Sequence, residues 1–197
     1  MSTPSRHPPN HVGITVPDIW AAIDWYTRLL GAVRIMGPRL LEPARAATAE
    51  TGTILGEDFG RAYQAHLLTE GGVGLELFQF VVPATGEREP GVRYHRRGPW
   101  HLCFTCADLP AKVAELLAGG GRQLSPIFAF VPGRPWQLVY CEDPWGITLE
   151  LMSHSYEEVF GGWPQEGMTE LTTWLARDGS TYTSRAFDEG GQARAAT

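Results

Sequence analysis

Basic residues are scarce in this chain: 16 lysines and arginines stand against 22 aspartates and glutamates, a formal net charge of −6 over 197 residues. No positive cluster interrupts that balance, which argues against nucleic acid or an anionic membrane surface as the main partner. Long apolar runs are missing too, none approaching the roughly 20 residues of a membrane span. The opening MSTPSRHPPN has no apolar core, so residues 1–9 read as a disordered N-terminus and not a secretory signal. The 3 cysteines cannot all pair and show no framework spacing, which leaves a cytoplasmic, reducing location as the expectation.

What remains is a globular composition, 43% hydrophobic and 19% charged, suited to one domain or two small modules sharing a core. Cys103 and Cys106 form a CxxC, but in WHLCFTC the residues alternate as in a strand. Positions three apart on a strand face opposite sides, so both are expected to be ordinary buried thiols, as is Cys141.

The chain repeats itself. HVGITVPDIWAAIDWYTRLLG, from His11, and HLCFTCADLPAKVAELLAGGG, from His101, align at an offset of 90, matching Thr15 to Thr105, Asp18 to Asp108 and Gly31 to Gly121. Each copy reads as a strand, an aspartate N-cap and a helix stopped by glycine. A second matched pair follows, GLELFQF around Glu76 and TLELMSH around Glu150, at an offset of 74. The first half is therefore 16 residues longer, and the extra length falls near residues 37–60, as a lid over a site or a surface elaboration. Hairpin signals at Gly71-Gly72 and at PWG complete a βαβββ reading of each half. The expected organisation is a first module over residues 10–82, a linker over 83–99, a second module over 100–154 and a C-terminal extension over 155–197. The extension is expected to hold one short helix near Met168 to Ala176.

Glu76 and Glu150 each sit between two leucines, and a carboxylate in so apolar a run is costly to bury uncompensated. Each half also begins a strand with histidine. If like modules pack around a pseudo-twofold, His11, Glu76, His101 and Glu150 converge. Two imidazoles and two carboxylates suit one divalent first-row ion, whose charge compensates both glutamates. Phe78, Phe80, Trp136, Tyr140 and Trp145 are available to line an apolar pocket, while His66 and His154 read as structural or surface residues. Exposed module edges and apolar faces lead to the expectation of a homodimer.

HVGITVPDIWAAIDWYTRLLG, HLCFTCADLPAKVAELLAGGG and EDPWGITLEL resemble the vicinal oxygen chelate superfamily, over about Asn10 to His154. The resemblance implies an α+β fold of two βαβββ modules forming a cup-shaped mixed sheet around a metal site. The His-Glu-His-Glu set is similar to the ligands of glyoxalase I. That implies one divalent ion per site (Ni, Co, Zn, Mn or Fe), a small substrate chelated through two oxygens, and isomerase or lyase chemistry by proton abstraction. Glu150 is then the first candidate for the base and Glu76 the second. Thr15 stands where glyoxalase I carries a glutathione-binding arginine, and FQFVVP replaces a polar run, so a glutathione adduct is not the expected substrate. An Fe(II) extradiol-type dioxygenase and a small-molecule (antibiotic) binding protein are the alternatives the resemblance leaves open.

Overall fold

The computed structural model describes residues 7–43, 54–89, 91–92, 94–131 and 133–161, together with the backbone of two strands at 172–175 and 181–184. The first half contains β1 (His11–Thr15), α1 (Ile19–Leu30), β2 (Val33–Leu41), β3 (Arg61–Leu68) and β4 (Gly74–Val82). The second contains β5 (Leu102–Thr105), α2 (Leu109–Ala118), β6 (Arg122–Gln123), β7 (Phe128–Ala129), β8 (Gln137–Glu142) and β9 (Thr148–Met152). A short α3 (Tyr156–Phe160) follows, closed by a capping box between Ser155 and Glu158.

The repeat in the sequence becomes a repeat in topology. The first sheet has the order β1-β4-β3-β2 and the second β5-β9-β8-β6, with β7 also paired to β8. In each, the opening strand runs parallel to the glutamate-bearing strand, and the remaining pairs are antiparallel. This is the α+β pair of modules expected, with one difference: the second strand of the second module is broken into β6 and β7, separated by Leu124, Ser125, Pro126 and Ile127.

Both long helices begin where an aspartate caps them. Asp18 accepts from the backbone N–H of Trp20 and Ala21, and Asp108 from that of Ala111. α1 ends at Gly31, whose φ of 65° is the left-handed conformation glycine adopts at least cost. α2 ends sooner than its alignment to the first copy predicts, at Gly119 and not Gly121. Ile19, Ala22, Ile23, Tyr26 and Leu29 of α1 and Leu109, Val113 and Leu116 of α2 bury one face each into a core shared by the halves. Leu75, Leu77, Leu149 and Leu151 enter that same core, which sends Glu76 and Glu150 to the opposite sheet faces.

Polar contacts fasten the halves together. Trp25 Nε1 donates to Gly119 O at 3.0 Å and Lys112 Nζ to Leu29 O at 2.9 Å. Tyr26, fully buried, donates to Asp143 Oδ2. Asp143 also accepts from the N–H of Trp145 and Ile147, which shapes the β8–β9 turn.

Two expectations are corrected. The extension carries a strand, β10 (Thr172–Leu175), paired antiparallel with β11 (Thr181–Ser184), where a helix near Met168 to Ala176 was expected. TTWL and TYTS are rich in β-branched and aromatic residues, and strand pairing outweighs the helical spacing. The insertion begins later than expected, because β2 continues to Leu41. A bulged register around Gly37-Pro38 hides that strand from a period-two reading. Residues 44–53 of the insertion lie outside the described residues, and Ile54 and Leu55 are helical.

Candidate metal centre

Glu150 is 8% exposed on β9, a strand buried along its whole length. Cross-strand register places Cys103 of β5 on one side and Tyr140 of β8 on the other. His101 brings Nε2 to 2.9 Å from Glu150 Oε2. The Cys103 thiol and the Tyr140 hydroxyl lie beside the same carboxylate. Desolvation, then the charge of Glu150, pushes the Cys103 thiol up to about 12, and the same two causes raise Tyr140. Both therefore remain protonated donors at neutral pH. Cys103 is exposed by area, contrary to the expected burial, while Cys106 is half-buried and Cys141 buried. For the proton of Cys103, crowding around the sulfur matters more than the open area of the whole residue.

Glu76 occupies the equivalent place in the first half, between Gly13 of β1 and His66 of β3. His11 Nε2 lies 3.2 Å from its Oε2, and His66 Nε2 lies 3.7 Å from its Oε1. Gln64 Nε2 donates to Oε1 at 2.5 Å. Gly13 corresponds to Cys103 at the offset of 90, and His66 to Tyr140 at the offset of 74. The halves thus repeat the His–Glu pair while differing in its neighbours.

Sequence reasoning missed Gln64 and did not place His66, read as structural or surface, beside Glu76. The signal was present, since Gln64 and His66 alternate along the strand antiparallel to Glu76 and so share its face. His154 fits the structural reading, with Nδ1 2.8 Å from Ser153 Oγ. Of the aromatic candidates, Phe78 and Phe80 stack at 5.7 Å in a small cluster with Leu41, Phe59 and Ala62. Trp136 and Tyr140 belong to the matching cluster around Leu138 and Met152. Trp145 packs on Trp25 and Tyr26 instead, within the shared core.

The chemistry of each pair fits a divalent ion. His11 Nδ1 is 2.7 Å from Asn10 Oδ1. If that oxygen accepts a hydrogen bond from Nδ1–H, the other ring nitrogen, Nε2, faces the carboxylate, an arrangement a cation between them completes. Among the described residues His101 Nδ1 is buried without a hydrogen-bond partner, and its ring lies edge-on to Trp100 at 4.1 Å. The two pairs are not gathered into one centre: among the described residues, no group of three or more His, Cys, Asp or Glu side chains is placed to hold a metal ion. Two clefts, about 810 and 800 Å³, lie between the halves. The first includes Thr15, Arg88, Trp100 and His101, yet neither cleft is lined by Glu76 or Glu150. The side-chain pairs are therefore the better guide to the chemistry.

A family profile described as Glyoxalase/Bleomycin resistance protein/Dioxygenase superfamily matches residues 10–135. The chain belongs to this superfamily. A 2-epi-5-epi-valiolone epimerase from Actinomyces sp. is 30% identical over 167 residues, covering 82% of this chain and 85% of the relative. Solved superfamily structures share the fold. A glyoxalase family protein from Bacillus cereus matches 77% of this chain and 97% of its own, with TM-score 0.62 and 22% identity. A mutant fosfomycin resistance protein from Listeria monocytogenes, complexed with Mn(II) and 1S,2S-dihydroxypropylphosphonic acid, matches 78% of this chain and 95% of its own, with TM-score 0.50 and 13% identity. Among the described residues, no helix of this superfamily member is long and apolar enough to cross a membrane.

Proposed function

We propose that the protein is a divalent-metal-dependent epimerase or isomerase, acting by proton abstraction on a small α-hydroxyketone, with His11, Glu76, His101 and Glu150 as metal ligands. The observation that carries this reading is the twice-repeated His–Glu pair at matching positions, with contacts of 3.2 and 2.9 Å. The relative named as an epimerase supports the reaction class. Epimerisation next to a carbonyl needs only removal and return of one proton, with no net redox change.

A bound divalent ion would act as a Lewis acid on two adjacent substrate oxygens and acidify the C–H beside them. Glu150 takes the proton in this reading, with the protonated Tyr140 hydroxyl and Cys103 thiol beside it. Trp100 covers one side of His101 and stacks on Tyr140 at 5.6 Å, which limits the approach of water to that pair. Because one described chain holds two separate pairs, the reading includes a homodimer that joins one pair from each subunit.

The test combines metal content with isotope exchange. The purified protein is expected to hold about one divalent ion per composite site, from two imidazoles and two carboxylates. It is expected to wash deuterium from the carbon beside the carbonyl of an α-hydroxyketone panel. Glu150→Gln should abolish exchange and retain part of the metal. Unchanged metal in alanine variants of all four positions refutes the ligand assignment, and Fe(II)-dependent oxygen uptake would replace the isomerase reading with a dioxygenase.

A further inference from the structure

The two glutamates are not held alike. Glu76 Oε1 accepts from Gln64 Nε2 at 2.5 Å, and Gln64 Oε1 accepts from Arg39 Nε at 2.7 Å. A guanidinium has only donors, so it fixes which end of the amide faces it. The amide oxygen must point to Arg39, and the NH2 is left to point at Glu76. Gln64 is 7% exposed, so water does not readily substitute for either bond.

The backbone of β2 builds this chain of bonds. Its register on β3 shifts between Arg34 and Met36 and again between Met36 and Arg39, which sets Arg39 opposite Gln64. Gly37 sits in the bulge at φ 81°, and a Cβ there would stand 2.4 Å from the carbonyl oxygen of Gln64. Only glycine lets the two backbones close to this distance. The second half lacks the device. At the offset of 74, Leu138 takes the place of Gln64, and it offers no polar side-chain atom.

We infer that Gln64, oriented by Arg39, is a positioning residue that ties one oxygen of Glu76 and leaves Oε2, 3.2 Å from His11, as the single oxygen presented to the metal. The inference rests on the ligand assignment proposed above. It deepens that assignment by making Glu76 the fixed ligand, and it leaves the proton-moving role to Glu150, which among the described residues has no amide–guanidinium relay behind it. His66, 3.7 Å from the tied oxygen, is too distant to replace the amide.

The experiment is Co(II) titration of the full chain, read by absorption spectrum and affinity, beside thermal melting of the metal-free protein. Gln64→Met keeps the length and apolar bulk of the side chain and removes the donor. It is expected to weaken Co(II) about 10- to 100-fold, the usual consequence of losing a partner behind a ligand, and to alter the Co(II) spectrum. Arg39→Met should weaken binding by a smaller factor and add nothing in the Gln64→Met background, while Arg39→Lys should recover most of the loss. Unchanged affinity and spectrum in Gln64→Met overturn the inference. So do losses that simply add or that follow the melting temperature. If Gln64→Met does not fold, the exposed Arg39 decides alone, and unchanged Co(II) affinity in Arg39→Met overturns the relay. A wild-type chain that binds no Co(II), or whose binding ignores His101→Ala, instead overturns the site assignment beneath it.

Discussion

Tyr26 of the first module donates a 2.7 Å hydrogen bond to Asp143 of the second, in the middle of the core the modules share. Burial is the largest cause raising the Tyr26 hydroxyl above its ordinary value, followed by the charge of Asp143. Burial likewise raises Asp143, opposed by the hydrogen bonds from Tyr26 and the turn and by the charge of Arg88. The bond thus joins a helix to the turn before the glutamate strand, so module packing and the placement of Glu150 are linked.

Tyr26→Phe is expected to cost about 1–3 kcal/mol, the range for losing a buried hydrogen bond to a carboxylate. The pH dependence follows from the raised hydroxyl. Below the ordinary value of 10.0, Tyr26 is protonated whether folded or unfolded. Above it, the unfolded chain releases the proton and the folded one retains it, so stability falls as pH rises. Melting curves across that alkaline range should show a steeper fall in the wild type than in Tyr26→Phe. Equal slopes would show that the residue does not carry the effect.

Gly37→Ala tests the bulge in β2. The new methyl would meet the Gln64 carbonyl at 2.4 Å, from a backbone already at φ 81°. The left-handed conformation alone costs a non-glycine residue about 1–2 kcal/mol, and the clash adds to it. Thermal unfolding should show a loss above that range, whereas Gly71→Ala, with open space around its Cβ, should be far milder.

How much of this was legible in the sequence depends on what signalled it. The paired modules were, because HVGITVPD and HLCFTCAD carry the same strand, cap and helix start, and the structure places Asp18 and Asp108 as caps. The outward face of Glu76 and Glu150 was legible from their flanking leucines, which the core takes up. The relay on Glu76 was not. It depends on a bulge that puts Arg39 opposite Gln64 across 25 residues of chain, and no local periodicity reports such a register. The strand at Thr172–Leu175 was missed because pairing with Thr181–Ser184 is non-local, while a helical reading needs only nearest neighbours. Nor did the sequence show that the His–Glu pairs stay apart within the described chain, since that is a matter of how whole modules dock.

Cys103 offers a check on the surroundings of Glu150 that needs no metal. The residue is exposed, yet desolvation and the adjacent carboxylate push its thiol up to about 12. Thiolate is the reactive form, so alkylation of Cys103 in chelator-treated protein near pH 8 should be slow for an exposed cysteine. Glu150→Gln removes one cause of the rise and should speed it. A fast wild-type rate, or no change in Glu150→Gln, would contradict the contact between thiol and carboxylate.

The docking of the two pairs can be decided by mixing broken proteins. His11→Ala damages the first pair of every chain, and His101→Ala the second, so each variant alone is expected to bind metal poorly. If the centre joins one pair from each subunit, a mixed dimer has one site with both defects and one site with none. Random reassortment should then restore about one quarter of the sites, a consequence of twofold symmetry. If each chain completes its own centre, every site retains a defect and mixing restores nothing. The two variants are combined under mild denaturation and refolded together, with Co(II) binding and solvent exchange of substrate deuterium as the readouts. A gain of both toward a quarter of wild type, absent when either variant is refolded alone, is the expected result. A sum no greater than the separate variants would place the whole centre within one chain, and sedimentation of a concentration-independent monomer would do the same.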